Sequence, residues 1–136
     1  MQRQQLLFLD NWLRNKHRKP LIIRGARQVG KSTLAELFAR RHNLTLSVVN
    51  LERHADLSSV FSSKNPEQIM QQIEFLPNMG SGGSDTLLFL DEIQAVPEAI
   101  PALRYFYEDM PELPVVSAGS LLEFALADHA LGIPPI

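Results

Sequence analysis

One short stretch, Gly25-Ala26-Arg27-Gln28-Val29-Gly30-Lys31-Ser32, constrains this chain more than anything else in it. It satisfies G-x-x-x-x-G-K-[ST] at every required position. From average residue usage, a chance match in a chain of this length arises about once in two hundred. The setting separates it from an ordinary glycine turn. Leu21-Ile22-Ile23-Arg24 before it reads as a short buried strand. From Lys31 to about His42 the pattern is an amphipathic helix with Leu34, Leu37 and Phe38 facing inward. Such a unit is suited to an anion: glycine permits close approach and positive φ, backbone N–H groups wrap a phosphate, and the helix points its N-terminus at the same charge. Lys31 adds a point charge for the β- and γ-phosphates, Ser32 offers a hydroxyl to Mg²⁺, and Thr33 is placed to touch the α-phosphate. The candidate nucleotide-binding set is Gly25, Gln28, Val29, Gly30, Lys31, Ser32 and Thr33.

The rest of the chain alternates short apolar runs with amphipathic stretches, which predicts a mostly parallel sheet with helices on both faces. Residues 3–18 read as a helix with Leu6, Leu9, Trp12 and Leu13 on one face and Arg14, Lys16, Arg18 and Lys19 gathered at its C-terminal end. Leu46 to Glu52 is a second strand, and 53–64 is irregular or a short helical turn. Asn65-Pro66-Glu67-Gln68 opens a further helix, with Asn65 as N-cap, Pro66 in the first helical position and Gln68 able to reach back as in a capping box. Gly80, Gly82 and Gly83 fall in a mobile loop, Asn78 to Ser84. Leu87 to Leu90 is a third buried strand, a helix starts near Pro101, and Val115 to Ala118 is a fourth strand. Ser120 to about Ala127 is expected to be a short helix. The stretch Leu131 to Ile136, with its two adjacent prolines, is expected to be an unstructured tail after a domain spanning 1–130.

Leu87-Leu88-Phe89-Leu90 runs directly into Asp91-Glu92. Alone, an apolar run closed by two acids is a common strand end. Some sixty residues after the phosphate loop it means more, because ligands of open α/β sheets collect outside the carboxyl ends of the strands. There Asp91 would hold Mg²⁺ directly or through water, and Glu92 is the natural general base to orient a water against the γ-phosphate. On the next strand, Val115-Val116-Ser117-Ala118-Gly119-Ser120 ends in a polar residue able to sense the γ-phosphate. Ser120 is the first choice and Ser117 the second. Ser120 is equally suited to capping the helix after it, and the two roles are compatible.

Composition narrows the function classes. The 136 residues carry 13 Lys and Arg against 15 Asp and Glu, a net charge of -2, which lacks the basic excess of a dedicated nucleic-acid binder. With no cysteine there is no disulfide framework, zinc ribbon or thiol nucleophile, which fits a cytoplasmic location. No apolar run reaches the roughly 18 residues needed to span a bilayer. Trp12 reads as a core anchor of the first helix rather than an adenine stacker, and His17, His42, His54 and His129 read as scattered, solvated side chains. Arg24 and Arg27 read as solvated cations flanking the loop, and Arg104 is a minor candidate for acting across a subunit interface.

Three segments, RGARQVGKSTL (24–34), LFLDEIQAVPE (88–98) and VVSAGSLLEFAL (115–126), together resemble the AAA-type P-loop ATPases of prokaryotes. More narrowly, they are similar to the subgroup in which an ATPase domain precedes a C-terminal domain called DUF4143. The resemblance runs from the first helix to about His129. It implies a three-layer P-loop NTPase fold and ATP binding with Mg²⁺-dependent hydrolysis. It carries Lys31 and Ser32 over as phosphate and Mg²⁺ contacts, Asp91 as the acidic Mg²⁺ position, Glu92 as the base and Ser120 as the sensor. Members of the subgroup run longer, so the resemblance also implies a truncated chain with an incomplete core, in which Leu21–Arg24 would form an exposed apolar edge.

The leading functional expectation is therefore a Mg²⁺-dependent ATPase with Lys31, Glu92 and Ser120 as its catalytic residues. The alternative is a non-hydrolysing nucleotide-binding switch or interaction module, a truncated fragment that needs a partner for turnover. A P-loop small-molecule kinase is a third class, but residues 99–136 contain only Arg104, and no arginine-rich lid is visible.

Overall fold

The computed structural model describes residues 2–24, 28–77, 79–80 and 83–119. Four strands form one parallel sheet in the order β1-β4-β3-β2: β1 (Leu21–Arg24), β2 (Thr45–Asn50), β3 (Thr86–Asp91) and β4 (Val115–Gly119). Helices α1 (Gln2–Arg14) and α2 (Gln28–Arg41) cover one face, and α3 (Ser58–Ser62), α4 (Pro66–Glu74) and α5 (Ala99–Asp109) cover the other. This is the expected three-layer α/β arrangement.

The period-two alternation of a strand decides which side chain enters which layer. From β3, Leu87 and Phe89 join Leu9, Trp12, Leu34 and Phe38 under α1 and α2. Leu88 and Leu90 point the opposite way, into a core with Phe61, Ile69, Ile73, Leu103 and Phe106. With both faces covered, β3 is buried along its whole length, which is why it reads as an unbroken apolar run. Among the described residues β1 pairs with β4 alone. The expected exposed apolar edge does not follow, because Leu21, Ile22 and Ile23 are all buried.

Several boundaries differ from the sequence reading. Helix α1 ends at Arg14 rather than 18. Asn15 ends it by accepting the His17 N–H on its Oδ1 at 2.9 Å, and the Trp12 indole N–H donates to the Lys19 carbonyl at 2.6 Å, folding 15–19 back over the helix end. Lys16, Arg18 and Lys19 therefore lie beyond the helix. Strand β2 stops at Asn50 because the Asn50 side chain accepts the N–H groups of Glu52 and Arg53 and turns the chain. Helix α5 begins at Ala99, two residues before Pro101. Pro101 then lies in the first turn, where a missing N–H leaves nothing unbonded. Residues 55–57 form a 3-10 turn leading into α3. Asn65 caps α4 as expected, accepting from Glu67 and Gln68. The reciprocal bond is not made by the Gln68 side chain: the Asn65 N–H donates to Ser63 Oγ at 3.3 Å.

Gly80, within the expected loop, is tied to the sheet. Its N–H donates to Ser47 Oγ at 2.8 Å, and a Cβ there would lie 2.7 Å from Thr86 Oγ1. His42 is likewise not a solvated side chain, since its Nε2 lies 2.6 Å from the buried Asp10 carboxylate. Trp12 is a core residue, as expected.

Candidate nucleotide site

In a parallel sheet all carboxyl ends lie along one edge. The register puts Arg24 beside Gly119, Ser117 beside Leu90, and Asn50 beside Asp91. The last residues of β1, β4, β3 and β2 thus share that edge. β1 and β3 are separated only by β4, so their ends are about 10 Å apart at two inter-strand spacings. The chain leaves β1 at Arg24 and re-enters regular structure at Gln28, the start of α2. Gln28, Val29 and Gly30, expected in the loop, have helical backbone in the first turn of α2. The first four N–H groups of a helix have no intrahelical acceptor, so this conformation still presents N–H groups to an anion. Lys31 and Ser32 follow in the same helix, and Thr33 is exposed on it. Gly25, Ala26, Arg27 and Ser120 lie outside the described residues, as do the expected helix 120–127 and the tail 131–136.

Asp91 is the last residue of β3 and is only 8% exposed. Its Oδ1 accepts the N–H of Glu92 at 2.9 Å. Glu92 is 7% exposed and has left-handed backbone, φ 54° and ψ 48°. That conformation costs roughly 1–2 kcal/mol for a residue with a Cβ. It turns the chain from the strand into the 3-10 turn Ile93–Ala95, whose Ala95 N–H donates to the Glu92 carbonyl at 3.0 Å. Fully buried Ile93 anchors the turn in the core. The Glu92 carboxylate is unequally satisfied. Its Oε1 accepts from Gln94 Nε2 at 2.7 Å, whereas the buried Oε2 has no partner among the described residues. A buried acceptor without a donor is expensive, and its position next to the carboxyl ends of the strands fits a water or ligand proton.

The donor set also fits a magnesium ion. Mg²⁺ keeps most of its waters and is held by one or two carboxylates together with substrate phosphates. Asp91 supplies one carboxylate at the strand end. Among the described residues there is no cluster of three His, Asp or Glu that would form an all-protein cage.

Ser117, the second choice for the γ-phosphate contact, is excluded from that role. It is fully buried, and its hydroxyl donates to the Leu21 carbonyl at 3.2 Å, a bond between strands. Arg104 is exposed on α5 and pairs with Glu108 one turn on, at 3.2 Å. Gln94 was missed. The signal was present in LFLDEIQ, but only the left-handed turn at Glu92 brings a side chain two positions on back to the carboxylate.

A three-layer fold on a parallel sheet, with a G-x-x-x-x-G-K-S segment running from the end of β1 into the first turns of α2 and an acidic pair at the end of β3, defines a P-loop nucleotide-binding protein of the ATPase-like class. Residues 17–131 match the family described as AAA domain, and the chain belongs to that family. No curated protein matches the chain. No helix among the described residues is long and apolar enough to cross a membrane.

Proposed function

We propose that this chain hydrolyses ATP to ADP and phosphate with Mg²⁺, in the crevice outside the carboxyl ends of β1, β4 and β3. The backbone of Gly25 to Gly30 wraps the phosphates and Lys31 balances the β- and γ-charges. Thr33 meets the α-phosphate, and Ser32 and Asp91 would hold the metal. A Mg²⁺ ion held by these residues would supply charge neutralisation for the phosphates. Glu92 accepts a proton from a water whose oxygen attacks the γ-phosphorus as the bond to the bridging oxygen breaks. Ser120 contacts the γ-phosphate.

The observation that carries this reading is Glu92 itself: a buried carboxylate in a strained backbone conformation, one oxygen held and the other without a partner among the described residues, beside Asp91 at the strand end. Strain and unmet hydrogen bonding are kept where function requires them. The LDEIQ and GSLLE segments (90–94 and 119–123) further support placing the chain in the subgroup with a following DUF4143 domain, with 1–130 as the ATPase domain and 131–136 as a tail. A cytoplasmic location and assembly with a second copy of the chain or a partner protein complete the proposal.

Phosphate release and nucleotide affinity, measured on wild type, Lys31→Ala and Glu92→Gln, test it. Lys31→Ala is expected to weaken ATP binding about tenfold, or 1.4 kcal/mol. Glu92→Gln is expected to keep affinity and lose about 10²–10⁴ in turnover, the range of a general base. Equal turnover in wild type and Glu92→Gln would refute the hydrolytic role.

A further inference from the structure

We infer that Gln94 is a positioning residue for Glu92, fixing which carboxylate oxygen is held and which is offered to the attacking water; this rests on the reading of Glu92 as the base. A glutamate side chain has three rotatable bonds, and a carboxylate that swings presents either oxygen in many directions. At Glu92 the backbone settles only the origin of the side chain. Its left-handed conformation starts the turn, and the Asp91 carboxylate accepts its N–H. Among the described residues the far end is held by the 2.7 Å hydrogen bond from Gln94 Nε2 to Oε1.

Gln94 is well placed to hold it. It lies within the 3-10 turn, between fully buried Ile93 and the Ala95 N–H bonded back to Glu92, so its main chain moves with that of Glu92. Its side chain is neutral, so it orients the carboxylate without cancelling the charge needed to receive a proton. An Arg or Lys there would form an ion pair with the same oxygen. With Oε1 occupied, Oε2 remains as the buried oxygen without a donor among the described residues.

The test uses Gln94→Met, which keeps size and flexibility and removes the donor. Turnover at saturating ATP and Mg²⁺ is expected to fall about tenfold or more with KM unchanged, as positioning losses do. In a Glu92→Gln background the same substitution is expected to cost nothing further, whereas a merely structural contact would subtract again. A second readout needs no nucleotide. In the side-chain amide spectrum of the ¹⁵N-labelled wild-type chain, one Gln94 proton is expected downfield and slow to exchange, and that signature should vanish in Glu92→Ala. Wild-type turnover in Gln94→Met, additive losses, or a freely exchanging Gln94 amide in wild type would each overturn the positioning role while leaving the base intact. Undiminished turnover in Glu92→Gln, or no wild-type turnover at all, would remove the base and the positioning role together, a distinct result because it requires no change at Gln94.

Discussion

The main-chain N–H of Glu92 donates to Oδ1 of Asp91 at 2.9 Å, so the Asp91 carboxylate holds the first peptide of the turn that follows β3. Asp91 stays in the strand, Glu92 leaves it through a left-handed turn, and both remain buried.

Backbone strain at Glu92 should make stability and activity diverge. Glycine takes φ 54° without a Cβ penalty, and Glu92→Gly also deletes the buried unpaired oxygen. The released strain, about 1–2 kcal/mol, is opposed by the greater unfolded-chain entropy of glycine, about 0.5–1 kcal/mol. Glu92→Gly and Glu92→Ala both remove the acceptor of Gln94 Nε2, so Glu92→Gly is expected to melt no lower than Glu92→Ala, with turnover lost in both. Glu92→Val, β-branched at the same φ, should melt several degrees lower. Thermal unfolding followed by circular dichroism checks both.

Asp91→Asn keeps an Oδ1 to accept the Glu92 N–H and removes the negative charge. Local structure should persist while the metal loses its carboxylate. ATP affinity measured with Mg²⁺ is expected to drop on the order of tenfold, and affinity measured in EDTA to match wild type. An equal drop in both conditions would assign Asp91 to the fold instead.

How much of this could be read from the residues follows from the range of each interaction. The strands of the central sheet stand out because burial on both faces forces continuous apolar runs, as in Leu87–Leu90. The Asn65 cap and Pro66 are local signals and appear where expected. What the sequence hides depends on a dihedral or a long-range partner. No residue type announces the left-handed φ of Glu92, so the Gln94 contact is invisible without coordinates. The early end of α1 depends on Trp12 finding the Lys19 carbonyl. Ser117 looked available for phosphate until the sheet order brought Leu21 beside it.

Gly80 gives a steric prediction away from the site. A methyl group there meets Thr86 Oγ1 at 2.7 Å and Thr45 Cγ2 at 3.0 Å, and Thr86 is buried. Gly80→Ala is expected to destabilise by about 1–3 kcal/mol, the usual cost of overpacking. Thr86→Ala in the same chain removes the nearer contact and should recover part of the loss. The urea midpoint at constant slope is the measurement.

The link between α1 and α2 predicts acid sensitivity. Asp10 is buried on α1 and receives Arg41 Nε at 3.0 Å and His42 Nε2 at 2.6 Å from the end of α2. Burial acts to raise its pKa, but the hydrogen bonds from His42 and Arg41, with their charges, outweigh it and hold the carboxyl below its ordinary value. A depressed native pKa means that the unfolded chain binds the proton more readily. The stability gained is therefore complete above the unfolded carboxylate range and is lost as pH falls through it toward the native value. Arg41 is half-exposed, which limits what the pair contributes. Asp10→Ala, which leaves two donors without their acceptor, is expected to cost about 1–3 kcal/mol at neutral pH. Its denaturation midpoint should fall less steeply than that of wild type as the solution is acidified, so the two curves converge in acid. Curves that stay parallel from neutral pH down would show that Asp10 titrates alike in both states.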